Sequence, residues 1–251
     1  MTLPALADPF RLVAYETVGS TNDEAKRLAR DGAAEGLVVW AREQQAGRGR
    51  RGHVWASPPG NLYLSLLLRP NCRAAAAAQL GFVTALALAE ALGEFAGTAI
   101  DLRFKWPNDV MGNGRKLAGI LLETEMLAGD VPAFVVIGIG VNLASSPREV
   151  AYPATSLIEE GVTLSPETLI PPLAERMAAW LETWRTSGFA AVREAWLGRA
   201  IGLGGPIRVR LEHATLDGAF LDLDEDGALL LGLPEGRRRI AAGEIFPARA
   251  A

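Results

Sequence analysis

Leu102-Arg103-Phe104-Lys105-Trp106-Pro107-Asn108-Asp109-Val110-Met111-Gly112-Asn113-Gly114-Arg115-Lys116-Leu117-Ala118-Gly119-Ile120 is the stretch on which the fold turns. Leu102–Trp106 reads as a strand, and Pro107 ends it because proline cannot donate to a ladder. Asn113-Gly114 is a hairpin signal, since both residues accept positive φ. The chain then returns as a buried strand over Lys116–Glu125. Such a hairpin brings Lys105 and Lys116 near one end of a sheet, with Asp109 at the tip. Two cations and a carboxylate at one sheet edge suit chemistry that moves one negatively charged group past another. An ordinary charged hairpin is the alternative reading. Lysine is scarce here: Lys26, Lys105 and Lys116 are the only three among 25 basic residues. Coding bias is the bland explanation, and a site that needs a compact ammonium rather than a guanidinium fork is the other.

Downstream, Phe134–Leu143 reads as a strand with Gly138 and Gly140 at alternate positions. Glycine weakens a strand, so two on one face call for either a ligand lying there or close packing against a helix. Gly119 repeats the pattern on the neighbouring strand. Upstream, Leu37–Ala41 and Leu62–Leu68 are buried strands, and Ala74–Phe95 is a long helix. Ser20 or Thr21 caps a helix that has Asp23 and Glu24 in its first turn and Gly32 past its end. Between two strands lies the polar stretch Glu43–Asn61, too irregular for either period and therefore a long loop. Ser165-Pro166 opens a helical region that runs to about Ala200.

The last fifty residues change character. Ile207–Leu211, Ala219–Asp222, Ala228–Leu233 and Arg238–Ile245 read as short strands, separated by Asp217-Gly218, Asp226-Gly227 and Glu235-Gly236. Four such strands imply a small barrel-like module, because a barrel leaves no long open edge. The expected organisation is two domains, 1–200 and 201–251: an α+β body, with a mixed β-sheet backed by helices, followed by a β module.

Composition narrows the function classes. The chain has 251 residues, 49% hydrophobic and 22% charged, which supports a sizeable core and excludes wholesale disorder. Ala74–Ala78 and Val83–Ala89 are too short to span a bilayer, and Met1–Ala7 has no basic residue ahead of its apolar positions. Cys72 stands alone beside His53 and His213, which rules out a disulfide framework and a Cys/His zinc cluster. A net charge of −4 argues against a general nucleic-acid coat. These features point to a soluble, cytoplasmic protein.

The loop Gln44-Gln45-Ala46-Gly47-Arg48-Gly49-Arg50-Arg51-Gly52-His53-Val54-Trp55 formally contains G-x-G-x-x-G. A dinucleotide site also needs a strand directly before and a helix directly after, and Ser57-Pro58-Pro59-Gly60 cannot start a helix promptly. No P-loop is present either. What remains is three arginines on a backbone able to approach a ligand closely, suited to phosphate and carboxylate, with Trp55 placed to stack on a base. The alternatives are a solvated basic loop and an RGG-like nucleic-acid contact.

Taken in order, Ser20-Thr21-Asn22, Gly47–Trp55, Lys105–Gly119 and Gly138–Asn142 resemble the biotin protein ligase family (biotin–[acetyl-CoA-carboxylase] ligase), over nearly the whole chain. The resemblance implies a biotin/lipoate ligase-like catalytic domain and a C-terminal SH3-like barrel. It implies that biotin and ATP, with Mg2+, give biotinoyl-5′-AMP and that an acceptor lysine of a biotin carboxyl carrier protein or domain then takes the biotinoyl group. Ser20, Thr21 and Gln44 would hold the ureido ring, with Asn22 close by, while Gly119, Gly138 and Gly140 let the rest of biotin lie flat. Arg48, Gly49, Arg50 and Lys116 would meet the carboxylate. Arg48, Arg50 and Lys116 would also meet the α-phosphate, with Trp55 over the adenine and Asn142 at its edge. Lys116, Arg50, Lys105 and Asp109 would carry the catalysis, Asp109 facing the incoming lysine and Lys105 supporting the acyl phosphate. No metal ligands are assigned, no membrane partner is implied, and a homodimer stays open. Some family members carry an N-terminal winged helix and repress transcription; only 19 residues precede Ser20, so no DNA partner is expected. A lipoate–protein ligase and a nucleic-acid-binding module are the competing readings.

Overall fold

The computed structural model describes residues 3–126, 129–148 and 152–247. A seven-stranded sheet forms the body, in the order β1-β2-β3-β7-β6-β5-β4. Its strands are β1 (Arg11–Val18), β2 (Leu37–Gln44), β3 (Leu62–Leu68), β4 (Leu102–Lys105), β5 (Asp109–Gly112), β6 (Arg115–Met126) and β7 (Pro132–Val141). Only β1 and β2 pair in parallel, so the sheet is mixed as expected.

Alternation along the strands divides the core in two. On one face Val39, Leu67 and Val136 pack against Ala25 and Ala29 of α1 (Thr21–Arg30). On the other, Val38, Leu66, Ile137 and Ile139 belong to a larger core built by α3 (Leu80–Ala96), α4 (Pro166–Ser187) and α5 (Phe189–Leu197). The expected long helix is interrupted at Gln79 between α2 (Ala74–Ala78) and α3. Ala74–Ala96 together is long and apolar enough to cross a bilayer, which corrects the reading that its apolar runs fall short. Most of it is buried within the fold, as a core helix is.

Three further expectations change. Asp109 is not at a hairpin tip: it opens a strand of its own, β5, paired with both β4 and β6. β1 went unread because its polar and apolar residues follow neither period cleanly. In the C-terminal module, Asp217-Gly218 lies inside β9 (Thr215–Leu223) rather than at a turn, and Arg238–Ile245 is divided between β11 (Gly236–Ile240) and β12 (Glu244–Pro247). With β8 (Pro206–Arg210) and β10 (Leu229–Leu233) these make one antiparallel sheet of five strands, ordered β11-β10-β9-β8-β12.

Candidate active site

Strand register assembles the site. Opposite one another across the sheet stand Tyr63 and Gly140, then Gly140 and Gly119, Gly119 and Asp109, Asp109 and Lys105. Directly opposed residues point to the same face, so five strands contribute one transverse row on the side that α1 covers. One step along, Ser65 on β3 faces Gly138, which faces Leu121. The glycines therefore form a trough in the sheet surface, with polar side chains at both ends.

At the α1 end the polar groups form a network. Gln44 Oε1 accepts from the Thr21 backbone N–H at 2.9 Å and lies 3.1 Å from its hydroxyl. The Gln44 amide donates to Ser57 at 3.0 Å. Fully buried Ser65 lies 2.6 Å from Asn22 Oδ1 and 2.8 Å from the Thr21 hydroxyl. The Asn22 amide donates to Glu123 Oε2 at 2.7 Å. Glu123 accepts only, so the Asn22 amide is fixed with its oxygen toward Ser65. Ser20 occupies the N-cap of α1, yet its hydroxyl makes no capping bond. Asn22 explains Gly138, since a Cβ there would lie 2.5 Å from Asn22 Oδ1.

The other end holds the charges. Lys105 Nζ donates to Asp109 Oδ2 at 3.2 Å, and Lys116 Nζ lies 2.6 Å from Oδ1. The Lys116 contact has charge proximity without hydrogen-bond geometry, so Oδ1 keeps an unfilled acceptor. The expected grouping of Lys105, Lys116 and Asp109 is present, inside the sheet instead of at a turn. Arg50 sits beside it, its Nη1 3.3 Å from the Gly243 carbonyl and 3.5 Å from Asn108 Oδ1. Burial, with the neighbouring Arg51 charge, lowers its pKa, though a guanidinium stays charged regardless.

The loop between β2 and β3 is more regular than expected. Trp55 N–H bonds the Gly47 carbonyl at 3.0 Å and Gly49 N–H bonds the His53 carbonyl at 2.7 Å, with Arg48 bridged to Val54. The reversal at Arg51 and Gly52 uses positive φ at both, 56° and 75°. A Cβ on Gly47 would meet Trp55 O at 2.5 Å, so only glycine closes this miniature hairpin. It lays the Trp55 indole over the trough: a Cβ at Gly140 would be 2.6 Å from the ring and one at Gly119 3.0 Å. Thus in this state the side chains that approach the three glycines are Asn22, Trp55 and, beside Gly119, Lys116. Asn22 belongs to α1, so close helix packing accounts for Gly138, and Trp55 of the loop accounts for the other two. Arg48 pairs with a carboxylate of α1. Its guanidinium forks onto Asp23 at 2.6 and 2.7 Å, and that bond holds the Asp23 carboxyl well below the usual range. Asn142 is buried and donates to the Thr155 carbonyl at 3.0 Å, at the trough's far margin.

Sequence reasoning missed Ser65, Glu123, Tyr152 and Phe246. Ser65 carried a signal, as the lone polar residue in an otherwise apolar strand, Leu62–Leu68. The others are recognisable only once strand register and the C-terminal module are placed. Among the described residues no group of three or more His, Cys, Asp or Glu side chains is arranged to hold a metal ion.

Comparison with known proteins agrees with this geometry. Residues 14–142 match the biotin/lipoate A/B protein ligase family, and 202–246 match the biotin protein ligase C-terminal domain. A biotin–[acetyl-CoA-carboxylase] ligase of Paracoccus denitrificans is 48% identical over 90% of this chain and 96% of its own. The bifunctional ligase/repressor BirA of Bacillus subtilis is 35% identical over 93% of this chain and 73% of its own. The structure of Aquifex aeolicus biotin protein ligase in complex with biotin and ATP superimposes with a TM-score of 0.79 at 30% identity, covering 96% of this chain and 99% of that one. By sequence and by architecture alike, the chain belongs to the biotin/lipoate A/B protein ligase family.

Proposed function

We propose that this protein is a biotin–protein ligase that activates biotin with MgATP and transfers it to a lysine of a biotin carboxyl carrier domain. One observation carries the reading: the glycine trough joins a hydrogen-bonding cluster at β3 and α1 to the cations gathered around Asp109 of β5. Three strand spacings separate the two, about 14 Å. That is the layout for an extended molecule with a polar head, an apolar middle and a terminal carboxylate. Thr21, Gln44, Ser20 and the Asn22 side chain offer donors and acceptors for the head, and the floor at Gly138, Gly140 and Gly119 takes the middle once the Trp55 indole moves off Gly140 and Gly119.

At the charged end, a biotin carboxylate oxygen attacks the α-phosphorus of ATP and pyrophosphate leaves. Both partners are anionic, so the step needs fixed cations at the point of attack. Lys116 and Arg50 stand nearest, and Arg48 reaches the same region on exchanging Asp23 for phosphate. Mg2+ arrives as part of the nucleotide substrate. In the second step the acceptor amine attacks the acyl carbon, the acyl C–O bond breaks and AMP departs. Asp109 Oδ1, the acceptor with room for a directed hydrogen bond, takes the amine proton. Trp55 lies over the trough between these groups and faces the adenine, and Asn142 borders it.

The deciding experiment incubates a biotin carboxyl carrier domain with this protein, biotin and MgATP, and reads the carrier by mass spectrometry. A single biotinoyl adduct on one lysine is expected. An unmodified carrier, or modification only when lipoate replaces biotin, overturns the proposal.

A further inference from the structure

The two lysines that share Asp109 are held in different ways. Lys116 is about one-quarter exposed, touches Oδ1 without a directed hydrogen bond, and has the Trp55 ring 5.5 Å from its Nζ. Lys105 is 2% exposed and directs one N–H at Oδ2. Glu244, at 3.8 Å, is too far to accept a second. Besides that longer charge contact, aromatic faces flank the ammonium: the Tyr152 ring centroid lies 4.6 Å from Nζ and that of Phe246 5.4 Å. The rings come from distant parts of the chain, Tyr152 from the segment preceding Pro153, whose carbonyl accepts from Lys116 N–H at 2.8 Å, and Phe246 from β12 of the C-terminal module. Phe246 is itself backed by Arg210, which pairs with Glu244 at 2.8 Å.

We propose that Tyr152 and Phe246 form an aromatic clamp that fixes Lys105 as the resident counter-charge of Asp109, so that Lys116 is the lysine free to leave for the substrate. The argument is one of competing partners. An ammonium is strongly hydrated and moves readily to phosphate. Ring faces attract it electrostatically without offering a proton acceptor it can exchange with water, and they close off the route by which phosphate would reach it. A buried carboxylate that loses its only counter-ion is heavily destabilised. Because Lys105 cannot leave, Asp109 remains paired when Lys116 swings toward the acyl phosphate. The expected role of Lys105 as a direct support of the acyl phosphate gives way to a positioning role. The C-terminal module contributes to the transfer step by supplying one jaw of the clamp.

This inference rests on the ligase reading for its consequence but not for its geometry, and the test separates the two. With only three lysines, protein labelled with 13C at lysine Cε gives three side-chain methylene signals, assigned with Lys26→Arg and Lys116→Arg. In the substrate-free protein the Lys105 signal is expected upfield of an unstructured lysine, shifted by the two rings. Added biotin and MgATP should move the Lys116 signal and leave that of Lys105 in place. A Lys105 signal at the unstructured position, or one that moves more than that of Lys116, overturns the clamp, whether or not the protein ligates biotin.

The kinetic arm compares Tyr152→Leu and Phe246→Leu with Tyr152→Phe and Phe246→Trp, using pre-formed biotinoyl-AMP and a carrier domain. The leucine variants should lower the transfer kcat at least about fivefold while KM for the adenylate changes less than about twofold, and the aromatic variants should stay near the parent rate. Equal losses in both sets would reduce the rings to packing and refute the proposal. Should a leucine variant fail to fold, the labelled parent protein still decides the question.

Discussion

Replacing Gly138 by alanine should cost the site its grip on biotin while leaving the backbone fold in place. Gly138 has ordinary extended backbone, so alanine adds no dihedral strain, and the added methyl points into the trough. The new Cβ would stand 2.5 Å from Asn22 Oδ1 and 3.0 Å from the amide carbon and nitrogen. Relief to ordinary contact requires Asn22 to retreat by about 1 Å, a displacement that can cost on the order of a hundredfold in rate. Asn22 is tied at 2.6 Å to Ser65 and at 2.7 Å to Glu123, so both bonds must lengthen or break. At about 1 kcal/mol each, with Ser65 fully buried, the network loses roughly 2 kcal/mol. Every 1.4 kcal/mol is about tenfold, so KM for biotin should rise between about ten- and a hundredfold in ATP–pyrophosphate exchange. KM for ATP should change far less, because the methyl lies at the end of the trough away from Lys116. Gly140→Ala is the control. Its methyl meets the Trp55 indole at 2.6 Å, two residues along the same strand in the middle of the trough, and should disturb nucleotide use as well. Unchanged biotin KM in Gly138→Ala, or identical profiles for the two variants, would refute the separate roles given to Asn22 and Trp55.

Lys116→Arg keeps the charge but places a wide planar fork where a compact ammonium spans two anionic oxygens; adenylation should fall at least about tenfold with transfer from pre-made biotinoyl-AMP less affected, and near-normal exchange rates would reduce Lys116 to a generic cation. Asp23→Asn removes the partner that the Arg48 fork holds, so the 45–56 loop should become more sensitive to trypsin. Because the Asp23 pKa is depressed, the pairing is in force above the ordinary value of about 3.9 and is lost only as the pH falls through the lower folded value. Loop proteolysis in the parent should therefore be flat across the neutral range, and a step there would contradict the pairing. Trp40 is buried with no partner for its Nε1 among the described residues. Trp40→Phe thus sheds a desolvated donor while giving up ring volume, and chemical denaturation should place it within about 1 kcal/mol of the parent, against 3–5 for Trp40→Ala.

Much of this was legible because local chemistry and the global fold agree. Asn113-Gly114 fixes a hairpin, and the hairpin fixes the neighbourhood of Lys105 and Lys116 before any tertiary contact is known. Gly138 and Gly140 announce a close approach, although only the coordinates say that Asn22 and Trp55 are what approaches. Asp109 was misplaced because Pro107 looked like the end of a strand pair. The chain instead uses Pro107-Asn108 as a tight connection and resumes a strand at once. The roles of Glu123, Tyr152 and Phe246 depend on which strands are neighbours and where a second module docks, and neither leaves a periodic trace. Arg48 was legible as an anion-binding group, but not that a nearby carboxylate, Asp23, holds it first.

The positions of the three lysines bear on how such a protein coexists with its own product. Biotinoyl-5′-AMP acylates amines without much discrimination, and lysine is the usual victim on a protein surface. Here Lys105 is walled in, Lys116 is one of the groups that bind the reagent, and Lys26 is shared between Asp23 at 2.9 Å and Glu123 at 3.1 Å. An ammonium tied to two carboxylates is held against the protein surface instead of reaching out to a passing reagent. Arginine, which supplies all the other basic residues, offers no such target. The catalyst is thereby largely spared self-labelling, and the reagent is left for the one amine that is delivered to it.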